Sequence, residues 1–334
     1  MNILGIETSC DETSASVVRS GTDVLSNVVI SSLKEHARYG GIIPEIASRR
    51  QLECIQAVVG EALEKADLSL SAIEAIAVTA APGLIGSLLV GVSFARALGY
   101  SLNKKVVDVD HIKAHVYANF LKLPGEKKKV VPKLPSVGLV VSGGHTSLFY
   151  IKDFNHFKML GQTRDDAAGE AFDKVAKILD LGYPGGPVID RLAQKGTRSR
   201  LRFSPASVPD FDFSFSGIKT AVLYHKRDHG QSKEFSVENV AYAFQESVVE
   251  SLVQNSLSAC RRMKTKTLLV GGGVAANSRL RQSLAQECHK EKIRVFFPPM
   301  SLCLDNAAMI AGLGFRLCKG SPGESRLKNS ILSN

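Results

Sequence analysis

The chain has 334 residues, a formal net charge of +10, and 44% apolar and 22% charged residues, a composition that fits one or two globular domains and excludes a disordered chain. No apolar run of the roughly 18 to 20 residues that a membrane span needs is evident, and no signal or transit peptide is expected. Six cysteines, Cys10, Cys54, Cys260, Cys288, Cys303 and Cys318, form no Cys-x-x-Cys pair, so reduced thiols in a cytoplasmic setting are expected and a cysteine metal site is not.

In chain order, one pattern is stated twice. Ile3 to Ile6 reads as a strand, Glu7 to Ser14 as a polar turn of hydroxyls and carboxylates, and Ala15 to Val18 as a returning strand. Ala75 to Thr79 is a further strand, followed by the turn Ala80 to Ser87 and a helix ending near Gly99. The β-branched run from Val106 to Val109 then leads to His111 and His115. On a helix beginning at His111 the i, i+4 spacing puts both imidazoles on one face, within reach of a single metal ion. Two exposed helix-face histidines are the alternative. Their place at a strand end, where open α/β sheets bind ligands, favours the metal. No Glu follows His111, so the His-Glu-x-x-His protease motif and its general base are missing.

Leu123 to Pro135, with three prolines and Lys127 to Lys129, reads as a linker. The pattern then recurs. Val137 to Val141 is a strand, Ser142-Gly143-Gly144-His145-Thr146 a polar turn, and Ser147 to Ile151 a second strand. After an insertion from about Gly161 to Thr265, Thr267 to Val270 leads into Gly271-Gly272-Gly273-Val274-Ala275-Ala276-Asn277 and a helix to about Lys290. Glycine turns of this kind let a phosphate reach backbone N–H groups, or serve only close packing. No P-loop motif is present. Asp173 and Asp190 adjoin glycine turns, where a carboxylate can accept from ribose hydroxyls or simply cap a helix.

Asp305 ends an apolar run in which an unpaired carboxylate would be costly. It is the best third metal ligand, and the N-cap of the closing helix that follows is its competing role. Two His and one Asp with open positions suit Fe(II) or Zn(II). The tail from Lys319 to Asn334 is expected to fray. Basic clusters at Lys127 to Lys129, Arg198 to Arg202, Arg261 to Lys264 and Arg279 to Arg281 together suit a polyanionic partner.

The repeated pattern predicts an α/β fold of duplicated ribonuclease-H-like lobes, the actin, sugar-kinase and Hsp70 class (ASKHA). The lobes are expected at 1–122, joined by the closing helix at about 306–334, and at 136–305, the second holding the long insertion.

Nearly the whole chain resembles the TsaD family of tRNA N6-adenosine threonylcarbamoyltransferases. The likeness is carried by Ile6 to Ser14, His111 and His115, Val141 to Thr146, Asp166 to Lys174, Asp212 to Thr220, Gly271 to Asn277 and Asp305 to Met309. It implies transfer of a threonylcarbamoyl group from L-threonylcarbamoyl-adenylate to N6 of the adenosine 3′ of the anticodon, in tRNAs reading codons that begin with A. Carried over by position, His111, His115 and Asp305 bind one divalent metal per subunit, Fe(2+) or Zn(2+). Val140, Val141, Ser142, Gly143, Gly144, Asp173, Gly186, Asp190 and Asn277 bind the adenylate. Asp11 and Glu12 face the reactive centre, where either can take the proton from the amine. The resemblance also implies tRNA, TsaB-like and TsaE-like accessory proteins as partners, no membrane, and a homodimer or heterodimer through the N-terminal lobe. Asp110, Lys113, Leu302 and Leu304 depart from the family pattern and bear on how the imidazoles are oriented. A metallopeptidase and a noncatalytic ATP-binding scaffold are the competing readings.

Overall fold

The computed structural model describes residues 1–126, 130–197, 201–206 and 208–320. Lys127 to Lys129, Arg198 to Arg200 and the tail beyond Gly320 lie outside the described residues.

The first sheet contains β1 (Asn2–Glu7), β2 (Glu12–Arg19), β3 (Asp23–Ser31), β4 (Ala75–Ala81) and β5 (Lys105–Asp110), in the order β3-β2-β1-β4-β5. The first three strands form an antiparallel meander, and β4 and β5 continue parallel to β1. The second sheet, with β6 (Ser136–Val141), β7 (Thr146–Asp153), β8 (His156–Gln162), β9 (Thr267–Gly271) and β10 (Arg294–Phe296), has the same topology in the order β10-β9-β6-β7-β8. β1 and β6 are buried on both faces, so their runs are continuously apolar rather than alternating.

Helices follow the repeat. The first half carries α1 (Leu33–Ala37), α2 (Pro44–Lys65), α3 (Ile85–Leu102) and α4 (His111–Tyr117). The insertion of the second half is helical: α5 (Ala168–Ile178), α6 (Gly185–Ala193), α7 (Ser216–His229) and α8 (Val237–Arg262). Then come α9 (Ser278–Lys290) and α10 (Ala307–Gly320). α2 starts at Pro44, whose missing N–H costs nothing in a first turn, and buries Ala47, Gln51, Cys54, Ile55, Val58 and Ala62 along one stripe.

Three strands, β3, β8 and β10, were not expected. All three are sheet edges. The first polar turn is also shorter than expected, Thr8 to Asp11, because Glu7 and Ser14 are already paired in the ladder. Among the described residues α3 is long and apolar enough to cross a membrane by length and composition, with a mean hydropathy of 1.4. Ser87, Gly91, Val92, Ala95 and Gly99 are its buried face.

Two core clusters keep to one lobe each, and a third spans both. The third joins Ile3, Ala77 and Val109 of the first sheet to Val140, Phe149 and Leu269 of the second through Tyr117 of α4 and Met309, Ile310 and Leu313 of α10. The closing helix thus lies between the sheets. We propose lobes of residues 1–122 with α10, and 136–305; sheet membership supports this division.

Gly5 explains how α10 approaches so closely. A Cβ on Gly5 would lie 2.3 Å from the Ala307 carbonyl oxygen and 2.8 Å from the Ala311 nitrogen, both backbone atoms that cannot swing aside. Gly5→Ala is therefore expected to destabilise the fold by about 3 kcal/mol, the upper end of overpacking costs, as a lowered urea midpoint in equilibrium unfolding.

Candidate metal centre and nucleotide cleft

β5 ends at Asp110, whose Oδ1 accepts from the Lys113 N–H at 3.0 Å and so caps α4. The helix consequently begins at His111, and both imidazoles face the same way, buried. His111 Nε2 and His115 Nε2 are 3.2 Å apart. Asp305 Oδ1 lies 3.5 Å from His111 Nε2 and 3.2 Å from His115 Nε2. Ligands at about 2.1 Å in a tetrahedron stand about 3.4 Å from one another. The three atoms therefore trace one face of such a tetrahedron, and the donor set fits a metal ion.

The competing role for Asp305 falls to its neighbour. Asn306 Oδ1 accepts from the Met309 N–H at 3.1 Å and caps α10, and its Nδ2 donates to the Leu304 carbonyl at 2.8 Å. Asp305 is left free to face the histidines.

Behind His111 stands a residue that sequence reasoning placed only in a turn. Glu7, buried at the end of β1, lies 3.0 Å from His111 Nδ1 and accepts from Thr79 Oγ1 at 2.6 Å and the Ser9 N–H at 2.5 Å. With Nδ1 engaged there, His111 presents Nε2 to the triangle. The signal in the sequence was the one used for Asp305, a carboxylate ending an apolar run. His115 Nδ1 has no partner among the described residues. Of the departures from the family pattern, Asp110 and Lys113 form a cap with an ion pair at 3.5 Å, Leu302 is buried, and Leu304 is exposed beside Gly273. None stands between His111 and Glu7.

Asp11 is buried, with Oδ2 3.5 Å from Ser31 Oγ. Burial, followed by the charges of Asp305 and Asp11, pushes the Glu12 carboxyl up to about 10, so this acid lies within electrostatic reach of the triangle. Burial lowers the pKa of His145, and the charges of His111 and His115 lower it further. Sequence reasoning stopped at Gly144, although His145 lies in the same motif.

The nucleotide-binding expectations separate into open and engaged groups. Val140 and Val141 are buried in β6. Beyond them the Ser142 N–H donates to the His145 carbonyl at 2.8 Å and Ser142 Oγ accepts from the His145 N–H at 3.1 Å, closing a tight turn. Gly143, Gly144 and Gly186 have open space where a side chain would be. Gly271 and Gly272 do not: a Cβ would strike the His115 carbonyl at 2.4 Å and the Val141 carbonyl at 2.2 Å. Those two glycines serve packing, which brings β9, α4 and the end of β6 together. Asp173 accepts from the Gly185 N–H at 2.7 Å, and burial raises its pKa against that contact. Asp190 accepts from the Ser278 N–H at 3.0 Å, while Asn277 caps α9 through the Leu280 N–H at 2.9 Å and donates to Gln245 at 2.7 Å. Asp190 and Asn277 are thus neighbours at the start of α9.

Two lobes of the same topology and a triangle of side chains that could hold a metal ion define the class, a member of the ASKHA fold. Solved structures agree on the fold. T. kodakarensis HypF aligns at TM-score 0.62 and 14% identity over 96% of this chain and 48% of its own. The (R)-2-hydroxyglutaryl-CoA dehydratase component A of Acidaminococcus fermentans aligns at TM-score 0.55 and 14% identity over 96% and 99%. The TsaD family, tRNA N6-adenosine threonylcarbamoyltransferase, matches residues 23–312. A protein of that name from Syntrophus aciditrophicus is 49% identical over 99% of this chain and 96% of its own length. Another from Clostridium botulinum strain 657 is 50% identical over 94% and 92%. The chain belongs to the TsaD family.

The electrostatics of the triangle give a pH test. Burial opposes charge on His111, but Asp305 and Glu7 outweigh it and raise its pKa from 6.5 to about 9. This raised pKa stabilises the metal-free fold fully below 6.5, and that contribution is lost as pH rises through about 9. A metal ion must expel the proton. Apparent Zn(2+) affinity, measured by chelator competition, is expected to rise about tenfold per pH unit up to about pH 9 and flatten above it, as for one released proton. A flat profile over that range would remove His111 from the ligand set.

Proposed function

We propose that this chain moves the threonylcarbamoyl group of L-threonylcarbamoyl-adenylate to N6 of the adenosine 3′ of the anticodon, in tRNAs reading codons that begin with A. The observation that carries this reading is the nearness of the His111, His115 and Asp305 triangle to the strand end that opens the Ser142 to His145 turn, Gly271 packing on His115 and Gly272 on Val141, in a chain of this family. The residues in proposed roles are His111, His115 and Asp305 for one Fe(2+) or Zn(2+), both suited to imidazole and carboxylate donors. When bound, the ion supplies Lewis-acid stabilisation of developing negative charge.

The remaining work belongs to the protein. The N–H groups of the Gly143-Gly144 turn receive the adenylate phosphate, while Asp173, Gly186, Asp190 and Asn277 line the nucleoside side. N6 attacks the carbamoyl carbon, the bond to the phosphate oxygen breaks, and AMP leaves with the electron pair. Asp11 takes the proton lost by the amine, while Glu12, whose carboxyl is pushed up to about 10 in the metal-free fold, holds a proton at neutral pH and can only donate. Because the mixed anhydride is already activated, positioning does most of what is needed. Peptide hydrolysis lacks its base, since Ile112 stands where a zinc protease carries Glu. The test uses tRNA, labelled threonine, ATP, bicarbonate and an adenylate-forming enzyme. Label is expected in tRNA with the unaltered chain and only at background with His115→Ala. Cleavage of a glycopeptide, or ATP turnover without label transfer, would replace this reading.

TsaB-like and TsaE-like partners and a cytoplasmic setting belong to the same proposal, the six free thiols being consistent with the latter. The face of α2 and α3 supports a partner chain there: Leu52, Ile85, Leu89 and Tyr100 are 69%, 82%, 54% and 92% exposed. Ile85→Asp is expected to weaken association with a TsaB-like protein or a second copy by about tenfold or more, in the range of a buried interface anchor. Metal stoichiometry should not change, and sedimentation with metal analysis reads both.

A further inference from the structure

Arg279 and Arg281 belong to one of the clusters that make the chain basic, yet the protein itself engages both. Arg279 is paired with Glu246. Arg281 turns back from α9: its Nε donates to the Ala275 carbonyl at 2.6 Å, and its Nη2 donates to the Pro298 carbonyl at 3.0 Å and to Cys303 Sγ at 3.3 Å. Its guanidinium also lies 4.8 Å from the centre of the Phe297 ring. Ala275 lies in the glycine turn that ends at Asn277. Pro298 and Cys303 lie in the strip that ends at Asp305.

Leu302 and Cys303 anchor that strip in the core, but its own backbone hydrogen bonds are few. Pro298 and Pro299 have no N–H to donate. The contacts from Leu302 N–H to the Pro299 carbonyl, 2.8 Å, and from Cys303 N–H to the Met300 carbonyl, 3.3 Å, close only a local turn. A planar fork of donors can hold several acceptors at fixed angles, as a lysine amine cannot. The two segments are also adjacent, since a Cβ on Gly273 would lie 3.3 Å from Leu304 Cδ2. Asp305 follows Leu304. Any displacement of the turn therefore reaches the metal ligand through Arg281 on one side and Leu304 on the other.

We infer that Arg281 is a positioning residue that couples the metal triangle to the nucleotide turn, so that filling either site tightens the other. The inference rests on the metal and adenylate roles proposed above. Thermodynamic linkage requires the effect to be reciprocal.

The experiment uses the full chain, with Zn(2+) as metal probe and AMP, which lacks the acyl group, as nucleotide probe. Zn(2+) affinity is measured by chelator competition with and without AMP, and AMP affinity by calorimetry with and without Zn(2+). In the unaltered chain each is expected to raise the affinity of the other by the same factor, about tenfold. In Arg281→Met the factor is expected to fall to about twofold, the remainder being attraction between phosphate and metal. If Arg281→Met does not fold, Arg281→Lys provides the comparison, since it keeps the charge and loses the fork. AMP binding that leaves Zn(2+) affinity unchanged overturns the coupling alone. Coupling undiminished in the variant overturns the role of Arg281. Failure of AMP to bind the unaltered chain overturns the nucleotide assignment and the coupling with it.

Discussion

The contact on which the centre depends is the one between Glu7 and His111. A carboxylate buried at the end of a central strand can remain there only because donors converge on it from separate parts of the first lobe: His111 from α4, Thr79 from β4 and the Ser9 N–H from the turn after β1. Removing one partner of such a buried pair leaves an uncompensated charge, a loss of about 3 to 5 kcal/mol. The geometry of the first sheet, with β4 beside β1, is thus inseparable from the direction in which the imidazole points. Burial opposes charge on every member, and their mutual attraction outweighs it: Glu7 is lowered, Asp305 is lowered to about 2, and His111 is raised.

The duplication has been put to two different uses. The turn joining β1 to β2 and the turn joining β6 to β7 occupy equivalent places in sheets of the same topology. The first bears Asp11 and leads into Glu12, whose ionisation burial and the charge of Asp305 oppose. The second bears Gly143 and Gly144, exposed and with nothing above them. One turn offers carboxylates and the other open backbone, which is the division of labour that moving a proton and seating a phosphate would require. Between them α4 and α10 fill a core common to both sheets, so the cleft walls are held by shared packing.

Glycine and arginine illustrate how one residue type can carry opposite meanings. Gly271 and Gly272 are small because the backbones of His115 and Val141 press against them, whereas Gly143 and Gly144 are small with nothing pressing at all. Arg279 and Arg281 look in sequence like surface charge for a polyanion, and both are spent on internal contacts. Arg261 likewise pairs with Glu291. Such differences are invisible from composition, because they depend on what approaches from elsewhere in the chain.

The sequence by itself determined what is local or repeated. The i, i+4 histidines, the two hairpins, the glycine turns and the duplicated order of strand and helix follow from periodicity and turn chemistry within a few residues, and they sufficed for the class; the family came from the resemblance of the longer motifs. Edge strands β3, β8 and β10 escaped, because half-exposed runs such as Asp23–Ser31 carry serine and asparagine among their apolar residues and Arg294–Phe296 is only three residues long. Tertiary structure alone decided the rest. It chose Asn306 over Asp305 as the helix cap, set Glu7 behind His111 across 104 positions of sequence, and turned Arg281 toward Pro298 and Cys303. The last two are contacts between segments far apart in the chain, and the first follows from them in kind, because Asp305 is drawn to His111 and His115 and leaves the cap to Asn306; no spacing rule along the chain encodes any of this.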